Sequence, residues 1–176
     1  MYSLFNEIFS VENKNLDLHV QFIKDLSFEN PNPLKSFATQ AEEQPEISVN
    51  VQASAENLGE RNFEVTLNVL IEAKQKEEAM FILELAYTAI ATVGENVAEE
   101  DIQEVVMIDV PHLIFPYARN IISDTIRDGG FPPLHLNPMD FRELYEEQKN
   151  RQKDENEEDL GDDLDDDSPD TSKQVH

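Results

Sequence analysis

Reactive chemistry needs particular side chains at particular spacings, and this chain offers few of them. Its four histidines, His19, His112, His135 and His176, are scattered, with none of the short spacings that set two imidazoles on one metal. There is no cysteine, which removes disulfides, thiolate nucleophiles and Cys-type zinc sites. Carboxylates are abundant, yet no nucleophile–base pair or phosphate loop accompanies them. The acidic run from Asp154 lacks the glycine and closing glutamate of a calcium loop. No catalytic residue, metal or cofactor is assigned, and an enzyme is not expected.

What these residues can do is adhere and attract. Residues 111–141, PHLIFPYARNIISDTIRDGGFPPLHLNPMDF, combine a long apolar helical pattern, a double glycine and a stiff Pro-rich aromatic connector. The formal net charge is −25, and acidic residues outnumber basic ones even outside the tail. A body of that sign repels nucleic acid and anionic lipid, which bind by exchanging counterions for Lys and Arg, and it attracts a basic partner. No stretch is read as approaching the roughly 20 apolar residues of a membrane helix, so direct membrane insertion is not expected. The N-terminus has no basic region followed by an apolar run, so no signal peptide is expected and the chain reads as cytoplasmic.

Four stretches alternate with the period of a strand. In the first, Leu16, Leu18, Val20, Phe22, Leu26 and Phe28 are expected inside, with Asp17, His19, Gln21, Asp25, Ser27 and Glu29 in water. Asn30-Pro31-Asn32-Pro33 ends it, and residues 34–45 read as a connector. The second strand spans about 46–55, with Ile47, Val49, Val51 and Ala53 inward and a turn at 57–60. The third points Phe63, Val65, Leu67, Val69 and Ile71 inward. After a loop at 74–78, the fourth points Phe81, Leu83, Leu85 and Tyr87 inward and Ile82, Glu84 and Thr88 outward. Short links make the last three antiparallel neighbours.

Helix is expected from near Glu99, with local breaks or kinks at Pro111 and Pro116 and a left-handed cap at Gly129 or Gly130. From Val110 to Ile126 apolar residues form two stripes, and the sheet can cover only one. The second stripe therefore predicts packing between subunits. Arg119 is read as an ion-pair or capping partner of an acidic group. A last helix is expected with Asn137 as N-cap, Pro138 at N1 and Asp140 at N3. The domain organisation is an N-terminal arm at 1–15, one domain at 16–153 and a disordered acidic tail at 154–176.

IKDLSFENPN at residues 23–32, IFPYARNIIS at 114–123 and GGFPPLHLNPMDF at 129–141 resemble, in order and spacing, the SecB protein-export chaperones. The resemblance covers roughly residues 20–145. It implies an α+β fold, a four-stranded antiparallel sheet with two helices on one face, assembled as a dimer of dimers. It also implies an ATP-independent holdase that binds unfolded preproteins and delivers them to the SecA translocation ATPase. The implied SecA-docking face comprises Asp25, Glu29, Ile82 and Glu84. The implied groove for unfolded chains comprises Leu34, Phe37, Phe131, Met139, Phe141, Leu144 and Tyr145. Leu113, Phe115, Tyr117, Ile121 and Ile122 read as core or oligomer interface. Met139, Phe141, Leu144 and Tyr145 either touch cargo or only dock helices that shape the groove. Within the connector Phe37 is the lone aromatic, and the chain has no Trp. The alternative is a chaperone on the same fold dedicated to one client, such as a toxin–antitoxin system.

Overall fold

The computed structural model describes residues 15–39 and 44–161, in one unit that ends at Phe141 and a second that begins at Arg142. Most of the expected N-terminal arm, and the acidic tail beyond Gly161, lie outside the described residues.

Four long strands form one antiparallel sheet in the order β1-β4-β3-β2: β1 Leu16–Glu29, β2 Glu46–Gly59, β3 Asn62–Gln75 and β4 Glu78–Val93. The β2–β3 and β3–β4 turns are tight, with φ of 49° and 62° at Glu60 and Arg61 and of 51° and 67° at Lys76 and Glu77. Paired positive φ values match the twist of flanking strands, as in type I′ turns. The β2–β3 turn thus falls beyond the expected 57–60, because β2 runs on to Gly59.

The inward residues of β3 and β4 follow the alternation. Val65, Leu67, Ile71, Ala73, Leu83 and Ala89 are fully buried. β1 does not follow it. The β1–β4 register shifts between Leu18 and Val20 and again between Ile23 and Asp25. Each shift is a bulge, and an extra residue turns every later side chain to the opposite face. Val20 and Phe22, expected in the core, stand on the outer face opposite Ile90 and Thr88. Gln21, expected in water, faces the core side beside Ala89, where the Tyr87 hydroxyl lies 3.5 Å from its Oε1. The second bulge restores the phase, so Leu26 and Phe28 face inward and Asp25, Ser27 and Glu29 outward.

The inward face carries a continuous helical run from Glu99 to Asp128. A 3-10 turn at Glu99–Asp101 and one α turn lead into a π turn at Val105–Asp109, followed by the α-helix Val110–Asp128, here α2. Pro111 has no N–H to give, and it sits where the bonding switches from the π to the α pattern. Pro116 lies inside α2 without ending it.

By length and composition this run of 30 residues could cross a membrane, which corrects the expectation that no stretch comes near. Half of its apolar window is buried in the fold, as in the core helix of a sheet-backed domain.

Arg61 secures the start of the helical run. Its guanidinium donates to the carbonyls of Val93, Gly94 and Val97, at 3.2, 2.9 and 2.6 Å, and pairs with Glu99. One side chain on the β2–β3 turn thereby joins the end of β4 to the first helical turn.

α2 ends in a Schellman motif. The Gly130 N–H reaches the Arg127 carbonyl at 3.0 Å, and the Phe131 N–H reaches that of Ile126 at 3.2 Å. Of the two expected caps, Gly130 is the left-handed one, with φ of 90°.

Two helices differ from expectation. Residues Pro33–Thr39, read as connector, form a short helix, α1, with Pro33 at its first position. The last helix, α3, spans Phe141–Gly161, not 138 onward. Asp140 followed three residues later by Glu143 is itself a helix-start pattern, and the chain uses it. α3 also runs past Asp154 into the stretch expected to be disordered. Three glutamates, Glu155, Glu157 and Glu158, suit a helix in that stretch, and just before it Glu147 and Arg151 pair at 3.8 Å one turn apart.

Candidate functional site

On the helix side, β1, β4, α1 and the end of α2 meet in an aromatic cluster. Phe131 lies 4.8 Å from Phe81, 5.3 Å from Phe37 and 6.3 Å from Phe28, between ring centroids, and Phe28 stacks on Phe81 at 5.6 Å. Phe81 and Phe131 are buried, whereas Phe37 is 47% exposed and its neighbour Leu34 is 89% exposed. α1 is tied down beside them. The Ser36 hydroxyl reaches Asn30 Oδ1 at 3.2 Å and the Met80 carbonyl at 3.5 Å, and Lys35 pairs with Glu78. A buried aromatic floor thus carries an open apolar edge.

The expected groove residues separate accordingly. Leu34 and Phe37 are at the surface, and Met139 is half-buried. Phe131 is in the floor. Phe141 is 2% exposed, edge-on to Phe115 at 5.3 Å and to His112 at 6.3 Å, so both are packing residues and offer no contact surface. Leu144 and Tyr145 belong to α3 in the second unit, where Lys149 Nζ lies 5.7 Å above the Tyr145 ring. Sequence reasoning missed Ile47 and Val49. They alternate as core residues, yet they are 41% and 42% exposed because the helical layer lies chiefly over β3 and β4.

The interface residues divide the same way. Phe115 and Ile122, at 3% and 0% exposure, pack within the single chain, on the core side of their core-or-interface reading. Leu113 and Tyr117 are exposed and Ile121 is half-buried, so the second stripe of α2 remains uncovered. The Arg119 guanidinium sits 5.9 Å over the Phe115 ring, and its buried Nε has no hydrogen-bond partner among the described residues, in place of the expected ion pair.

The outer face of the sheet is a ladder of rungs read from the register. Glu29, Ile82 and Glu72 share one rung. Ser27, Glu84, Leu70 and Asn50 share the next, and Asp25, Ala86, Asn68 and Gln52 the third. Asp25, Glu29, Ile82 and Glu84 therefore stand on one surface within three adjacent rungs, and Asp25 and Glu84 line a shallow depression of about 280 Å³. Glu72 and Leu70 complete this patch and were not singled out from sequence. Phe22, Thr88 and Thr66 follow, with the two threonine hydroxyls 2.9 Å apart, and then Val20, Ile90, Glu64 and Glu56. Lys24 pairs with Glu64, and Lys74 with Glu72 at 3.1 Å. Asp25, Glu29 and Glu84 have no ion pair among the described residues. Near the last rung His19 Nε2 lies 2.6 Å from the Thr92 hydroxyl, a structural role for one scattered histidine.

Comparison with known proteins agrees with this architecture. The family model described as preprotein translocase subunit SecB matches residues 10–152. A protein-export protein SecB of Paramagnetospirillum magneticum is 48% identical over 130 residues, 74% of this chain and 83% of the relative. That of Rhodospirillum rubrum is 48% identical over 133 residues, covering 76% and 81%. A solved SecB-like chaperone of Mycobacterium tuberculosis, in complex with a ChAD peptide from an antitoxin, shares the fold at a TM-score of 0.56. It is 11% identical and covers 71% of this chain and 91% of its own.

Proposed function

The chain belongs to the SecB family of protein-export chaperones, and we propose that it acts as an ATP-independent holdase. In this reading it binds unfolded preproteins in the cytoplasm and passes them to the SecA ATPase as a homotetramer. The observation that carries the holdase role is the open apolar edge of Leu34 and Phe37 beside a rigid aromatic floor. Burying apolar surface gives about 25 cal/mol per Å². Several hundred Å² of such contact, repeated over linked sites, retains an extended chain without a nucleotide cycle.

Ile47 and Val49 add apolar surface on the same side of the sheet. Contacts of this kind accept many sequences because they set no hydrogen-bond geometry. The carboxylates Asp25, Glu29 and Glu84, without an ion pair among the described residues and set around Ile82, support the outer face as the SecA-docking surface. They offer a basic partner charge that need not first be released from an internal ion pair. A chaperone dedicated to one client is the less favoured reading, since relatives at 43–48% identity are export proteins.

Light scattering after size exclusion tests the holdase. The expected result is a mass of four chains that carries a freshly diluted unfolded preprotein and ignores its folded form. Exchanging both Asp25 and Glu84 for Lys should weaken SecA binding by about tenfold or more while cargo binding persists. Unchanged SecA affinity would remove the outer face as the docking surface.

A further inference from the structure

The outer face carries its own counter-ion. Lys24 is the extra residue of the second β1 bulge, between Ile23, which pairs with Tyr87, and Asp25, which pairs with Ala86. Its side chain ends on Glu64 of β3, so the ion pair spans β4, which lies between the two strands. Beside it Thr66 and Thr88 are buried although they face away from the helical layer. Glu56, opposite Glu64 on β2, adds to the negative field on the same amine.

The face therefore has two ends. At one, Asp25, Glu29 and Glu84 have no ion pair among the described residues. At the other, Glu64 is paired with Lys24 and Glu56 lies in the field of the same amine.

We propose that Lys24 is a specificity-determining residue of the outer face, a built-in counter-ion that closes its Glu64–Glu56 end and confines a basic partner to the Asp25–Glu29–Glu84 end. This rests on the docking reading above and deepens it. A cationic segment approaching Glu64 meets a neutralised carboxylate and an ammonium, whereas two to four rungs away it meets Asp25, Glu84 and Glu29 around Ile82. Like charge at the wrong register excludes as effectively as opposite charge at the right one attracts. The bulge is what makes this possible, since a regular strand would have no additional residue between an inward Ile23 and an outward Asp25.

The test uses the full chain and a hexalysine peptide, with affinity measured at low and physiological salt and methyl NMR as the footprint. Ile82 and Leu70 report on the open end, and Val20 and Ile90 on the closed end. Lys24→Met keeps the apolar stem and removes the charge. It should tighten hexalysine roughly two- to fivefold, steepen the salt dependence and extend the methyl shifts to Val20 and Ile90. Lys24→Arg should behave as the parent. Arg127→Gln, which removes the same charge from the helix side, should change neither readout.

Unchanged affinity and footprint in Lys24→Met, with weakened binding in an Asp25→Asn, Glu84→Gln double variant, would overturn the role of Lys24 and leave the docking surface standing. Parent-like binding by that double variant would overturn both.

Discussion

Gly129 and Phe28 approach so closely that a Cβ on the glycine would overlap the aromatic ring. The two come from opposite ends of the domain, one from IKDLSFENPN and the other from GGFPPLHLNPMDF. Their meeting joins the end of β1 to the end of α2. It also sets Phe131, two residues on, into the floor on which Phe37 rests at 5.3 Å. The geometry of the apolar edge therefore depends on the absence of a side chain.

Gly129→Ala is accordingly expected to destabilise the domain by about 1–3 kcal/mol, the usual range for forcing atoms into a packed site. At Gly130 the cause is different. Its φ of 90° is strained for any L side chain, and a Cβ would stand 3.0 Å from the Phe37 ring. Urea unfolding checks both, and stability equal to the parent in Gly129→Ala would show that Phe28 can move aside.

Arg61 presents a second stability test. Its guanidinium serves three carbonyls and one carboxylate in different directions, a pattern that an ammonium cannot reproduce. Arg61→Ala should cost about 2 kcal/mol, and Arg61→Lys should recover little of it. Hydrogen exchange should show the loss first at the start of the helical run, around residues 97–104. A uniform loss across the sheet would count against a local clasp.

Much of this could be read from the sequence, and the exceptions have physical causes. Alternation in β3 and β4 was legible because each strand keeps its phase and one face is fully covered. β1 defeated it because two bulges reverse the phase twice. Val20 and Phe22 moved outward, while Asp25 and Glu29 returned to the expected side. Residue type does not announce a bulge, since the extra residue is identified only by its partner strand. Ile47 and Val49 have the right period but lie beyond the reach of the helical layer, a fact about tertiary placement. The same applies to Phe131 and Phe141. An aromatic in a groove and one in a core have the same local pattern, and only burial separates them. The start of α3 differs because the sequence offers two adjacent cap signals, Asn137-Pro138 and Asp140, and the helix begins after the second.

That separation gives a prediction for cargo. Leu34→Asp with Phe37→Asp should leave the fold intact and sharply reduce protection of an unfolded protein from aggregation, because both side chains are exposed. Phe141→Asp should instead unfold or severely destabilise the domain, since it buries a carboxylate against Phe115. Circular dichroism and a light-scattering aggregation assay on the same samples distinguish the two. Full protection by the double variant would move the cargo surface elsewhere, with Ile47 and Val49 the next to test.

Tyr87 predicts a pH effect. Burial, and secondarily Tyr117, raises its hydroxyl pKa above the ordinary value. A raised acid favours the folded state while it is protonated. The contribution is therefore complete below the ordinary tyrosine pKa of about 10 and is lost as pH rises through the higher folded value. Stability in urea should be flat in this respect through neutral pH and fall above about pH 10. Tyr87→Phe should reduce the fall, and an identical alkaline profile in that variant would exclude Tyr87 as its source.

The uncovered stripe of α2 predicts assembly. Ile114, Ala118, Ile122 and Ile126 already face the sheet and are fully buried, so Leu113 and Tyr117 on the other stripe are left at 43% and 56% exposure. A helix apolar on both sides remains in water only if something covers the second side. A second copy supplies the same stripe by symmetry, which is how closed homo-oligomers arise. Leu113→Asp with Tyr117→Asp should therefore lower the mass seen by light scattering, while each chain keeps its circular dichroism. Since the buried stripe is untouched, folding and assembly are separable here. A variant that kept the parent mass would show that the subunits meet on another surface.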